Sequence, residues 1–465
     1  MIERKIKNFK KELAIINWVE GFNKQKVLIR DESNNAYLNK SNRKFIFFHK
    51  GIFPYSKNGT LDINIEGSQY YIKSSDFKEP VNKNFTQIPC ESACDVDTFT
   101  KGNLNRRKLF RMFFFDKSER THIFHHKLEF PKYDGKIPWA FECTRVQVKN
   151  KRYDIIQHKH NNQSYIIIEN LDPVSYSNFK KDSYSIQKGI GFLIGYMPGG
   201  ENYIFSGDNF VYQRLSRKAL KSIYHPVTSN PYSFTLLHDQ RKIAERYESI
   251  LTVIPASVIS NFVNKIHDSE ELSVAIIFLM EVASLSSVVS MPGVFSVILE
   301  SFANIIINEQ KIRQSLITDE ELAKEIIDEL NLVIDKNASK MHSDAAIKIR
   351  RRVAAINQPV NTKKISNAMK LREPFDQLGI SLSNLDEKAI DYRNDLLHGN
   401  ILMHDETKRT SKEIDNRMIY VSAKLYTLIS KLILKYCGYN GYVINHAKFY
   451  DLDGIFGEID FFEKI

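Results

Sequence analysis

The hydrophobic grammar of the chain changes once, near residue 237, and an all-α or all-β fold cannot accommodate both sides of the change. Nine of the 13 prolines lie before residue 241, where short aromatic and β-branched runs are punctuated by turn residues in the manner of strands. Lys44–Phe48, Leu109–Phe115, Thr121–Phe130, Ser164–Ile168, Gly191–Tyr196 and Tyr203–Phe205 are the predicted strands. The last two flank Pro198-Gly199-Gly200 and read as a hairpin. Beyond residue 237 the period becomes helical. Asp268-x-x-Glu271 and Thr318-x-x-Glu321 have the form of capping boxes. Leu322, Ile326, Leu330 and Val333 share one face, Pro292 suits a first helical turn, and a helix over Met418–Cys437 stops at Gly438. The expectation is an α+β chain with a β-rich domain over 1–236, an all-α bundle over 237–445 and a tail over 446–465.

With 465 residues, 43% hydrophobic and 26% charged, the chain is long enough for two or three packed domains and is not a disordered one. Four cysteines, Cys90, Cys94, Cys143 and Cys437, are too scattered for a disulfide framework and fit a reducing cytoplasm. Met1–Leu13 is charged, and the apolar stretch Ala14–Trp18 is too short for a secretory signal. Val274–Met280, cut by Glu281, falls short of the ~20 residues that a membrane span needs. A soluble cytoplasmic protein is expected. Residues 1–240 hold 38 Lys+Arg against 24 Asp+Glu, net +14, while 241–465 hold 28 against 31, net −3. A basic half suits a polyphosphate backbone or an acidic protein partner. Coding bias toward Lys, Asn and Ile would give the same excess.

One segment of the helical half carries chemistry. In Leu385–Gly399, Asn384 with Glu387 can cap the start of a helix and Gly399 can end it, which puts His398 at the carbonyl end, where an imidazolium is favoured. A bare Arg-x4-His spacing is uninformative; Arg120 and His125 repeat it in strand-like sequence. Arg393-Asn394-x-x-x-His398-Gly399 is more specific. It resembles the Arg-polar-x-x-x-His signature of HEPN domains, many of which are metal-independent ribonucleases. The Met291–Glu300 helix and the β-rich region in front look like the ApeA-like branch, associated with bacterial anti-phage defence, although the zinc-finger-like cysteine cluster of some ApeA-type proteins is missing.

The resemblance implies an RNA substrate such as tRNA, no cofactor, a homodimer whose two motifs line one cleft, and a phage-derived protein trigger. RNA brings its own nucleophile, the 2′-OH. His398 would serve as the base for that hydroxyl or as the acid for the leaving 5′-oxygen, and Arg393 would stabilise the phosphorane through its fork of donors. Asn394 would hold a phosphate oxygen or orient the ring. Five helical positions rotate about 140° beyond a full turn and advance ~7.5 Å, so Arg393 and His398 converge only at a helix end or across two copies. The competing reading is a capped helix in which Arg393 pairs with Asp395 or Glu387, within a non-catalytic HEPN-like scaffold whose N-terminal domain binds nucleic acid or protein.

Other candidates are weaker. Cys90, Cys94 and Cys143 with His122, His125 or His126 lack the spacing of a zinc finger, so no metal is assigned. Gly189, Gly191 and Gly195 miss the dinucleotide fingerprint by one place, and His158-Lys-His160 reads as a solvated loop. Arg106, Arg107 and Lys108, with Phe110 and Arg111, mix charge with an aromatic as single-strand binding needs. Lys348, Arg350, Arg351 and Arg352 form a second basic run that would track an RNA backbone; a solvated face is the simpler account of both. Glu281 and Glu300 interrupt apolar helical stretches, and Glu300 is the candidate for a supporting residue near the cleft.

Overall fold

The computed structural model describes residues 9–29, 36–41, 43–50, 59–77, 81–82, 91–120, 122–131, 142–233, 240–285, 287, 290–310, 317, 319–342, 344–354, 367–397 and 410–465. The protein is α+β, with a large antiparallel sheet in its N-terminal half followed by a helical region. Helix α1 (Lys10–Glu20) precedes β1 (Gln25–Ile29), β2 (Ala36–Ser41), β3 (Lys44–Lys50), β4 (Thr60–Ile65), β5 (Ser68–Lys73), β6 (Val81–Asn82), β7 (Glu91–Val96) and β8 (Thr98–Lys101). Then come β9 (Arg111–Phe115), β10 (Cys143–Val148), β11 (Lys151–His160), β12 (Gln163–Asn170), α2 (Tyr176–Ile194), β13 (Tyr196–Met197), β14 (Glu201–Ser206), β15 (Asn209–Arg214) and β16 (Leu220–Lys221).

Two strands turn corners and close part of this sheet on itself. β1 pairs with β2 through Gln25–Val27 and with β4 through Leu28 and Ile29, and β7 runs into β8 across Asp97. The path β1, β2, β3, β7, then β8, β5, β4 therefore returns to β1. Side chains fill the ring: Phe45 meets Phe99 and Tyr212 with ring centroids 4.9 Å apart in each case. Leu13, Ile16 and Val19 of α1 join the same core.

From β8 the sheet continues through β15, β14, β9, β12, β11 and β10, and its central strands are buried on both faces. Successive side chains alternate between faces. Phe113, Tyr165, Ile167, Tyr203 and Phe205 enter the α1 core, whereas Met112, Phe114, Ile166, Ile168 and Ile204 enter a second core beneath α2. This is why these strands read as unbroken apolar runs.

The helical region comprises α3 (Gln240–Tyr247), α4 (Ala256–Asp268), α5 (Glu270–Leu285), α6 (Met291–Gln310), α7 (Glu320–Asn337), α8 (Ala345–Ala354), α9 (Asn367–Gln377), α10 (Asn384–Leu397) and α11 (Ser411–Tyr436). A short pair, β17 (Tyr442–Ile444) and β18 (Phe462–Lys464), follows. The second core is continuous from Leu104 of the β-rich half to Ile465, so the change of grammar near 237 is not a gap in packing. Residues 446–465 contribute Ala447, Phe462 and Ile465 to the buried interior. Among the described residues no helix is long and apolar enough to cross a membrane.

Several local expectations are corrected. Gly191–Ile194 is the last turn of α2, not a strand; Gly195 ends that helix at φ 73°, and β13 pairs with β16 instead of forming a hairpin with β14. The glycines 189 and 191 thus lie inside a helix. Among the described residues of Thr121–Phe130 the chain makes turns, since His122 adopts φ 59° and Phe124 O accepts from Lys127 N and Leu128 N. His158 and His160 lie on β11 rather than in a loop. Helix starts are displaced by one residue: Ser269 caps α5, and Asp319 caps α7. α11 begins earlier than predicted, at Thr410 with its Glu413 capping box, and stops before Gly438. On α7 the shared face is turned outward at Leu322, Leu330 and Val333, which stay exposed, while Ala323 and Ile334 are buried.

Gly191 makes a test of α2. A Cβ there would sit 2.8 Å from Met197 Cβ and 3.0 Å from its Cα. Gly to Ala within a helix ordinarily stabilises by up to about 1 kcal/mol; at Gly191 overpacking should reverse the sign, with a loss of about 1–3 kcal/mol. Denaturant titration of Gly191→Ala checks this, and a variant as stable as wild type contradicts the close approach.

Candidate active site at the end of helix α10

Helix α10 starts at a reciprocal cap. Ser383 Oγ accepts from Asp386 N at 3.1 Å and Asp386 Oδ2 accepts from Ser383 N at 3.0 Å, a capping box one residue before the expected Asn384 and Glu387. Ala389 and Ile390 are buried and Tyr392 packs against the same core. α6, α9 and α11 all pack against this helix. On the outer side Arg372 Nη2 of α9 donates to both carboxylate oxygens of Asp391 at 2.9 Å, and Glu387 lies 3.8 Å from Arg372.

α10 runs unbroken through Leu397, with Arg393 and Asn394 near its C-terminal end. The side chains of Arg393 and Asn394, and His398 with Gly399 altogether, lie outside the described residues. Arg393 to Leu397 is helical throughout, and five helical positions carry a side chain about 140° beyond a full turn. Glu300 is half-buried on α6, one of the helices against α10, whereas Glu281 is exposed on α5.

The basic candidates fall into different settings. Arg106 and Arg107 are exposed between β8 and β9, and Lys108 Nζ donates to Asn103 O at 2.7 Å. Phe110 is 1% exposed and so presents no face to a base. Arg111 turns to the α1 side, with Nη1 2.7 Å from Glu12 and Nε 3.0 Å from Glu169. On α8, Lys348, Arg351 and Arg352 are exposed and Arg350 is ion-paired with Asp335 of α7. The described cysteines do not gather: Cys94 on β7 and Cys143 on β10 lie toward opposite ends of the strand order.

Sequence reasoning missed the group that fixes α10. Lys424 and Lys431, seven residues apart on α11, are 1% and 2% exposed. Lys424 Nζ lies 2.8 Å from Asp386 Oδ1, 3.0 Å from Glu458 Oε1 and 3.5 Å from Glu463 Oε1. Lys431 Nζ lies 3.2 Å from Asp386 Oδ2 and is also ion-paired with Glu463. Tyr420 Oη donates to Glu458 at 2.8 Å and Asn445 Nδ2 donates at 2.7 Å. Burial pushes the Asp386 carboxyl up, and the Lys431 and Lys424 ammoniums outweigh that and hold it below its ordinary value. Part of the signal was in the sequence, since the two lysines sit inside the largely apolar stretch Met418–Leu434 of α11, where a buried charge needs partners.

Family models, curated proteins and solved structures offer no match to the chain.

Removing Asp386 leaves two buried ammoniums short of a carboxylate, and breaking such a pair costs about 3–5 kcal/mol. Asp386→Ala should therefore lower stability by that order in urea, and an unchanged midpoint would contradict the arrangement. Because the folded carboxyl is depressed, its contribution is full above the ordinary value of 3.8 and is lost as pH falls through the lower folded value. Acid unfolding of wild type below that value, with a shallower acid limb in Asp386→Ala, is the matching expectation.

Proposed function

We propose that this chain is a metal-independent endoribonuclease of the HEPN type, working as a homodimer in an anti-phage defence resembling that of ApeA-like proteins. The observation that carries the reading is the placement of Arg393 and Asn394 in the later part of the ion-anchored helix α10, in an α-helical region, with His398 next after Leu397 in the sequence. The α+β order, a β-rich half before the helices, adds support.

In the proposed reaction the ribose 2′-oxygen attacks the adjacent phosphorus as its proton passes to an imidazole. The bond from phosphorus to the 5′-oxygen then breaks, and that oxygen takes a proton. One His398 serves as base or acid, and a second copy supplies the complementary group. Arg393 stabilises the charge on the equatorial oxygens, which its planar fork can reach in pairs. Nothing in this sequence of steps needs a metal-bound water, because the nucleophile belongs to the substrate. The products are a 2′,3′-cyclic phosphate and a 5′-hydroxyl.

The N-terminal half, basic and sharing one core with the helices, is proposed to restrain the nuclease and to respond to a phage-derived protein, in the cytoplasm. Cleavage of total bacterial RNA or tRNA by purified protein tests the reading. His398→Ala should lose at least about 100-fold in rate, the range for a general acid or base, with unchanged circular dichroism. Arg393→Lys should also lose activity, since an ammonium lacks the bidentate fork. If His398→Ala left both RNA cleavage and the response to phage intact, the non-catalytic scaffold would replace the nuclease.

A further inference from the structure

A buried lysine and two imidazoles lie where the β-rich half meets the C-terminal segment, and α10 has no part in the group. Lys127 is 7% exposed and its Nζ has no hydrogen-bond partner among the described residues. Its backbone is fixed: Lys127 N donates to Phe124 O at 2.9 Å, Ile254 N donates to Lys127 O at 2.8 Å, and Ser229 N donates to the neighbouring His126 O at 2.6 Å. The side chain is therefore held inward by structure on both sides of it.

The groups around it carry positive or neutral nitrogen. His446 is 7% exposed, and its Nε2 is 2.6 Å from His225 O. Its ring lies 5.8 Å from that of His225 and 5.0 Å from that of Tyr224. Burial and then the Lys127, His446 and Arg120 charges press the His225 imidazole toward its neutral form. Burial pushes His446 down to about 4, with Lys127 adding to the effect. Lys127 is lowered by burial and then by Arg120. The nearby carboxylates are engaged elsewhere: Glu142 bonds His122 at 2.7 Å, and Glu129 accepts from Ala256 N at 2.7 Å.

A buried ammonium without a counter-charge costs several kcal/mol, and three separate chain segments bring cationic or imidazole groups to this one place. We propose that Lys127 and Arg120, with the His225 imidazole, form a binding site for a small phosphorylated anion, a phosphate or phosphate monoester, while His446 holds the His225 backbone through its Nε2. A tetrahedral anion offers oxygens in several directions, as donors arriving from different segments require, whereas a carboxylate offers two in one plane. Occupation would tie the loop after β9, the segment before α3 and the C-terminal segment together. The site stands apart from the nuclease reading, and its test uses no RNA.

The test is calorimetric titration of the full chain with inorganic phosphate against a chloride background of equal ionic strength. Wild type should bind, and Lys127→Met should weaken binding at least about tenfold, as loss of a charge-assisted hydrogen bond does. Met keeps the length of the side chain and removes an unpaired buried charge, so the variant should fold. No binding by wild type, or equal binding by Lys127→Met, overturns the proposal. If that variant and Lys127→Gln both failed to fold, a wild-type crystal structure in phosphate decides: an anion against Lys127 Nζ supports the site, and one bound only elsewhere overturns it.

Discussion

The buried ion group joining Asp386, Lys424, Lys431, Glu458 and Glu463 is the constraint on which the helical region turns. Withdrawing a charge from water costs several kcal/mol, so these five side chains are tolerable only together, with Tyr420 and Asn445 satisfying further oxygens. Apolar surfaces can slide past one another, but an ion pair inside a protein has one geometry. Asp386 belongs to the first turn of α10, the lysines to α11 and the glutamates to the C-terminal segment. The direction of α10, and with it the position of its last turn, follows from that meeting. The stretch 446–465 is accordingly a structural part of the helical region.

A second constraint links this region to the sheet. Because the strands β9, β12 and β14 are buried on both faces, one face must be covered by helices, and α2 covers it. α2 then packs on α4 and α5. Gly189 permits the approach to α4, where an added Cβ would stand 3.0 Å from Val263 Cγ2. A change on the sheet side thus has a packed route to the helices, which is what a regulated effector requires, and the proposed anion site around Lys127 lies on the same seam.

Much of the fold was legible because local pattern and tertiary burial agreed. The apolar runs at β3, β9, β12 and β14, and the helical period after 237, were read correctly in type. α2 was not, since its last turns are buried all round from Gly189 to Ile194; a helix without a polar face has no 3.6-residue signature and imitates a short buried strand. The stripe on α7 had the signature and yet remained exposed, because periodicity reports amphipathicity and not what covers it. Caps slipped by one residue where Ser or Asp stood beside an equally good candidate, as at Ser383 and Asn384. Of the candidate site, the motif was visible as a spacing. The lysines of its anchor stood out in α11, but their partners Asp386, Glu458 and Glu463 did not, because they meet Lys424 and Lys431 only through the fold.

In the proposed reaction Arg393, Asn394 and His398 cleave RNA through its own 2′-hydroxyl. The most direct measurement is the chemistry of the fragment ends produced by purified protein from total bacterial RNA in EDTA. The proposed reaction yields 2′,3′-cyclic phosphate and 5′-hydroxyl ends, which should be absent with His398→Ala. Fragments bearing 5′-phosphate and 3′-hydroxyl ends, or cleavage abolished by EDTA and restored by a divalent cation, would contradict it.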